Sequence, residues 1–225
     1  MSNVAGKAYA MNVVTPMRPG LGSRVNHFLF YAARALPERL MGLLGLSIIH
    51  FARWVIVKQD EWPDLGQPKE ELLNDYTIFI SNFNGTWDQY IDAFADGLPS
   101  GLDLFWYAAT KYPKSIPVSP FKAYIRANQI DTDHYYNATP GAAQRDIKAA
   151  LRVRRAVLRL EQAHAAGPDA FKAAWAKELR TIQNDLGSPG FAPVASNDTA
   201  RADLNRQPLV LARWAPRGGA KTGDK

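Results

Sequence analysis

The stretch Tyr76-Thr77-Ile78-Phe79-Ile80-Ser81-Asn82-Phe83-Asn84-Gly85-Thr86-Trp87-Asp88-Gln89-Tyr90 changes its apolar period from two to 3.6 within a single turn. Tyr76 to Phe83 predicts a strand that is apolar on both faces. Asn84-Gly85 is the turn that closes it. Thr86 and Gln89 then have capping-box spacing, so each side chain can satisfy a backbone N–H that the first helical turn leaves open. Trp87, Tyr90, Ile91 and Phe94 follow at helical spacing as a buried stripe, and Gly97 and Pro99 end the helix. A strand that turns directly into a helix, beneath a sheet covered on both sides, is the seed of an α+β domain.

Working outward, Ser47 to Val57 predicts the strongest strand. Ile49, Phe51, Arg53, Val55 and Val57 alternate onto one face, and Ile48, His50, Ala52, Trp54 and Ile56 onto the other. Ala8 to Val14 is a first strand, stopped by Thr15-Pro16. Ser23 can cap a helix with Val25, Phe28, Leu29, Ala32 and Leu36 on its apolar side. Pro37 then starts a second short piece through Leu44. Residues 59–74 are acidic and carry Pro and Gly, which suits a surface connection. Ser119-Pro120 opens a helix to about Asn128, and Thr132 to Ala138 alternates as a last strand. Pro140 opens a long helix to about Ala165. A final one carries Phe171, Trp175, Leu179, Ile182 and Leu186.

The order strand, helix, strand, strand, helix with an insertion, strand is the ferredoxin-like split βαβ pattern, an antiparallel sheet with helices on one face. The expected divisions are a ferredoxin-like α+β domain over 7–140, a C-terminal helical extension over 141–187 and a flexible tail over 188–225. The sheet's second face is apolar too, so something must cover it. A homo-dimer packed sheet to sheet is the leading expectation.

The chain has 225 residues, 47% of them apolar, and no cysteine. It is long enough for a real core and too apolar for wholesale disorder. Disulfide frameworks, Cys-zinc sites and thiol catalysis are excluded. There is no phosphate loop, nucleophile elbow or His-Glu-x-x-His. The first thirty residues do not read as a signal peptide. No run reaches the roughly 18 to 20 apolar residues a spanning helix needs. A soluble, cytoplasmic protein is expected. The net charge is +6, unevenly placed: residues 1–139 hold 12 Lys+Arg and 13 Asp+Glu, while residues 140–165 hold 6 and 2.

Several stretches together resemble a known family: Val13-Val14-Thr15-Pro16 with Arg18-Pro19-Gly20, Ile49-His50-Phe51-Ala52-Arg53-Trp54-Val55, the run Ser81 to Tyr90, and Gln129-Ile130. They resemble a largely uncharacterised bacterial family of ferredoxin-like proteins of the dimeric α+β barrel type, some of them described as peroxidase-related. The likeness covers roughly residues 10–160. It implies a fold similar to that of dye-decolourising peroxidases, which carries little functional weight by itself. Members often carry Asp where this chain has Asn84, and Asn does not exchange a proton near neutral pH. The haem-binding histidine context of dye-decolourising peroxidases has no counterpart here.

Chemistry has few places to sit. The strand end, Asn-Gly turn and helix N-terminus from Ser81 to Tyr90 present backbone N–H groups that suit an anion, with Asn82, Asn84, Gly85, Trp87 and Asp88 as ligand-binding candidates. The plainer reading is a turn and a cap. Arg53, the charged member of an apolar face, needs a partner if buried: a ligand carboxylate, a haem propionate, or Asp88 or Asp92. His50 and His134 complete the catalytic candidates, since two strand histidines facing one pocket can serve as a metal pair, ligate haem or exchange protons. The plainer reading is a pair of hydrogen-bonded core or edge residues. No metal site is expected. Haem is the cofactor these candidates would suit.

Asp88, Asp92 and Asp96 stack on one helix face. The helix Gln144 to Gln162 carries Arg145, Lys148, Arg152, Arg154, Arg155 and Arg159, and can meet nucleic acid, anionic lipid or an acidic protein surface, or pair with that acidic stripe. No nucleic-acid motif accompanies it, so nucleic acid is not the expected partner. Two functions follow. One is a small-molecule-binding or haem-dependent, oxidoreductase-like protein with a cavity against the sheet. The other is a non-catalytic assembly or accessory subunit that docks through residues 142–162 and the apolar tail segment 208–214.

Overall fold

The computed structural model describes residues 3–18, 20–35 and 48–187. It is an α+β structure built on an open, antiparallel, five-stranded sheet. Three nine-residue strands, β2 (Ala8–Pro16), β3 (Ile49–Val57) and β4 (Tyr76–Asn84), lie in the order β2–β4–β3. Two short strands, β1 (Val4–Ala5) and β5 (Gln129–Ile130), pair with the far edge of β2. The described residues form six helices: α1 (Leu21–Ala35), α2 (Trp87–Gly97), α3 (Pro99–Phe105), α4 (Val118–Ala127), α5 (Gln144–Ala165) and α6 (Pro168–Ile182).

Register decides which residues make the core. Val13 lies opposite Phe79, which lies opposite Trp54. One pleat along, Met11, Ser81 and Ala52 align. This face meets the helices. Trp54 stacks 4.6 Å from both Phe79 and Phe105, and Phe83 lies 3.8 Å from Tyr90 of α2. Burying one such side chain contributes about 1.5–3 kcal/mol, so this aromatic layer dominates the packing.

The other face is covered at one end only. Residues 131–143 cross it without regular structure and bury Asn82 and Asn84 beneath them. Beyond that crossing, Phe51, Arg53 and Val55 of β3 are exposed and Val14, Ile78 and Ile80 half-buried. The strand expected over Thr132 to Ala138 is not one. Its side chains do alternate, with Tyr135 and Asn137 inward and His134, Tyr136 and Ala138 outward. Its ties, however, run to side chains and loops: Thr132 N–H donates to Asn3 Oδ1 at 2.7 Å, and Asn137 Nδ2 donates to the Ala5 carbonyl at 3.0 Å. Alternation reported a segment lying on a sheet, not one paired within it.

Other boundaries shift for local reasons. α1 starts at Leu21, and Ser23, expected as its cap, donates instead to the Asp75 carboxylate. α5 starts at Gln144 rather than at Pro140, because Asp146 accepts from the Ala143 N–H at 2.8 Å and caps the turn there. α3 fills a segment whose aromatic and Pro content concealed a helix. The expected helical piece from Pro37 to Leu44 and the tail 188–225, with its segment 208–214, lie outside the described residues.

Candidate functional site

The run Ser81 to Tyr90 forms the junction its sequence predicts. Thr86 accepts from the Gln89 N–H at 3.2 Å, and Gln89 accepts from the Thr86 N–H at 3.1 Å. Gly85 turns the chain at φ +96°, in the left-handed region that favours glycine. Trp87, buried, donates its indole N–H to Gln129 Oε1 at 2.7 Å. The Arg126 guanidinium lies 4.3 Å from that ring's centroid and pairs with Asp88 at 3.1 Å. Lys122 pairs with Asp88 at 3.1 Å and Asp92 at 2.8 Å, and these carboxylates hold its pKa above the ordinary lysine value. Asp88 and Asp92 of α2 are therefore matched by α4, next to it, and not by the basic helix α5. A shallow depression of about 450 Å³ lies beside Trp87, lined by Tyr9, Arg126, Gln129 and Asp131.

Asn82 and Asn84 are spent on the fold. Asn82 Nδ2 donates to the Tyr135 hydroxyl at 2.6 Å. Asn84, 1% exposed, donates to the Lys7 carbonyl at 2.7 Å and accepts from the Gln144 N–H at 2.8 Å. Lys7 returns a backbone bond to the Pro140 carbonyl at 2.8 Å, and its ammonium lies 3.7 Å from Asp146. Gly6 permits this approach, since a Cβ there would meet the Pro140 oxygen at 2.0 Å. Together these residues clamp the first turn of α5 to the end of β4.

The three catalytic candidates do not converge. A bulge in β3 between Ile49 and Phe51 places half-buried His50 within hydrogen-bond reach of the Asn84 side chain. Burial pushes its imidazole below the ordinary value, Asn84 partly offsetting this, and its Nε2 is buried without a partner. Arg53 is exposed on the outer sheet face. The expectation of a buried guanidinium paired with Asp88 or Asp92 is thus overturned, because the face it shares with Phe51 and Val55 is the open one. His134 is exposed on the crossing segment. A cleft of about 790 Å³, with Ser23, Arg24, His27, Lys58, Glu70 and Asp75 among its lining, contains none of the three. Among the described residues no three or more of His, Cys, Asp and Glu are grouped to hold a metal ion.

α5 and α6 form an arm. They pack along each other through Ala149, Ala156 and Ile182, and two bidentate pairs lock them. Arg152 reaches Asp185 at 2.5 and 2.6 Å, and Arg159 reaches Glu178 at 2.7 and 2.8 Å. Each arginine holds its carboxylate partner below the ordinary range. Arg154 and Arg155 are exposed, with no ion pair among the described residues. Leu151 is 50% and Leu158 43% exposed. Sequence reasoning found the basic helix but missed Lys7, Asp146, Glu178 and Asp185, which hold it. Only Asp146 carried a local signal, three residues after the helix N-cap. No helix among the described residues is long and apolar enough to cross a membrane.

No protein-family model matches the chain, and no curated protein or solved structure is detectably similar to it.

Proposed function

We propose that this protein is a non-catalytic assembly or accessory subunit and that the α5–α6 arm is its docking element. One observation carries the reading. α5 is apolar on the side that meets α6 and apolar again on the side that meets solvent, where Arg154 and Arg155, without ion-pair partners among the described residues, flank it. A helix with two apolar sides is suited to burial on both. The oxidoreductase reading needs Arg53, Asn82, Trp87 and one histidine around one cavity, but Arg53 lies on the open sheet face, Asn82 is bonded to Tyr135 beneath the crossing segment and Trp87 packs in the core. The amides of the Ser81–Tyr90 junction, its best donors to a ligand, are already committed to the fold.

A photo-crosslinking residue at position 158 of the full chain, expressed in its native cell, tests this. A discrete adduct should form there, and not from exposed Lys172 on α6. It should be lost in a Leu151→Ser variant whose melting temperature is unchanged. Equal labelling from both positions, or none, refutes the arm as a docking element.

We propose further that the domain is ferredoxin-like. The strand order β5–β2–β4–β3, all antiparallel, supports this, as do the helices that link β2 to β3 and β4 to β5. A homo-dimer belongs to the same reading. Phe51, Val55 and Ile130 are 52, 45 and 57% exposed, too much apolar surface for a sheet face that water alone covers. Light scattering should give twice the chain mass, and Phe51→Glu with Val55→Glu should halve it. A monomeric wild type removes this part of the reading.

A further inference from the structure

Resting on the docking reading, the outward side of α5 also says what kind of partner fits it. Ile147, Leu151 and Leu158 are 37, 50 and 43% exposed, and they lie opposite Ala149 and Ala156, which face α6. Positions 147, 151, 154, 158, 161 and 165 step by four, three, four, three and four, which is the spacing of a coiled-coil seam. The seam is apolar at Ile147, Leu151, Leu158 and Ala165, basic at Arg154 with Arg155 beside it, and acidic at exposed Glu161. The other two arginines of this stretch are neutralised: Arg152 by Asp185 and Arg159 by Glu178.

In the register that pairs both leucines, the middle of the seam disfavours a second copy. In an antiparallel pairing with a second copy, Leu151 meets Leu158 of the other chain only if Arg154 meets Arg155, twice. Four guanidinium groups then share one site with no counter-charge. A parallel pairing sets each arginine against its equal. Asp88 and Asp92 of α2 are taken by Lys122 and Arg126. The chain's own residues 188–225 hold 6 Lys+Arg and 3 Asp+Glu, with no two acids adjacent.

We infer that the outer seam of α5 receives one amphipathic helix of another protein, with apolar residues at i and i+7 and Asp or Glu at i+3 and i+4. The apolar pair fills the spaces around Leu151 and Leu158, one heptad apart, and the acids meet Arg154 and Arg155. This pattern reads the same in both directions, so it holds for either orientation of the incoming helix.

The test uses the full chain and two synthetic helical peptides, alike except at the central pair: Leu at i and i+7, with Glu-Glu or Lys-Lys between. The Glu peptide should bind roughly tenfold tighter, since two attractive exposed pairs replace two repulsive ones, and the gap should shrink in high salt. Arg154→Glu with Arg155→Glu should reverse the preference. Should that variant fail to fold, Arg154→Gln with Arg155→Gln should abolish the preference without reversing it. Leu158→Ser should weaken the Glu peptide.

Equal affinity for both peptides overturns the acidic partner. So does an unreversed preference in the charge-swapped chain. Tighter binding to phosphatidylserine vesicles or to duplex DNA than to the Glu peptide, lost in the charge-swapped chain, overturns the inference in favour of an anionic surface. If neither peptide binds while position 158 still crosslinks, this inference fails alone. If position 158 crosslinks nothing as well, the docking reading fails with it.

Discussion

Replacing Asn84 by Ala should loosen the arm from the body and lower the stability of the whole chain. The side chain is buried and does two things at once: it donates to the Lys7 carbonyl at 2.7 Å and accepts from the Gln144 N–H at 2.8 Å. Each lost bond costs about 1 kcal/mol, and each partner left in a half-buried place adds up to about as much again. The total is about 2–4 kcal/mol. At roughly 2–4 °C per kcal/mol for a chain of this size, the melting temperature should fall by about 5–15 °C. The loss should be local as well as global, so hydrogen exchange at Gln144 and the next turn of α5 should accelerate more than in β4. Asn84→Asp separates the two roles. Its carboxylate still accepts from Gln144 and suits a helix N-terminus, but it cannot donate to Lys7. At neutral pH it should lie between wild type and Ala, with Gln144 protection largely kept. Relative to wild type it should recover as acid restores the missing proton. A melting temperature within about 1 °C of wild type for Asn84→Ala, with exchange at Gln144 unchanged, would refute the clamp.

Other expectations are more local. His50 has a depressed folded-state pKa, so its contribution is complete above the ordinary value of 6.5 and is lost as pH falls below it. His50→Gln should therefore flatten the fall in melting temperature between about pH 7 and about pH 5, and parallel curves would argue against it. Glu178 is likewise depressed, by Arg159, so its pairing operates above the ordinary 4.5 and fades in acid. Glu178→Gln should speed amide exchange in residues 168–182 at neutral pH, and the difference from wild type should vanish in acid. Tyr90→Phe removes the 2.9 Å bond to Ser81 Oγ and should cost about 1 kcal/mol. Adding Ser81→Ala should then cost little more, and full additivity would show that the two groups act independently.

Legibility followed the range of the interactions. The junction from β4 into α2 was readable because a capping box, an Asn-Gly turn and a 3.6 period are properties of neighbouring residues. The open face was not. Val55 and Trp54 are both large, apolar and adjacent in β3, yet Trp54 packs on Phe79 and Phe105 while Val55 is 45% exposed. Nothing in strict alternation says which side the helices take. Arg53 was misplaced for the same reason, since a charge on an apolar face marks a buried ion only if that face is covered. The acidic stripe and the basic helix looked complementary along the chain, but α4 lay nearer to the stripe and supplied Lys122 and Arg126.

The sequence by itself determined the elements that rest on local pattern: the three long strands, the capped helix that follows β4, and a C-terminal helix carrying most of the excess charge. It also excluded thiol and disulfide chemistry outright, because a residue that is absent cannot act. The tertiary structure alone decided what each polar side chain is for. Asn84 is a clamp because Lys7 lies 77 residues before it and Gln144 lies 60 residues after it, and a hydrogen bond depends on distance in space, not on distance along the chain. It also decided which arginines of α5 are spent and which are free. Arg152 and Arg159 find carboxylates on α6, while Arg154 and Arg155, two and three residues beyond Arg152, turn outward. At 100° per residue the offset of two carries Arg154 to the far side of the helix, while Arg155, only about 60° from Arg152, stands on the solvent edge, where no described carboxylate meets it.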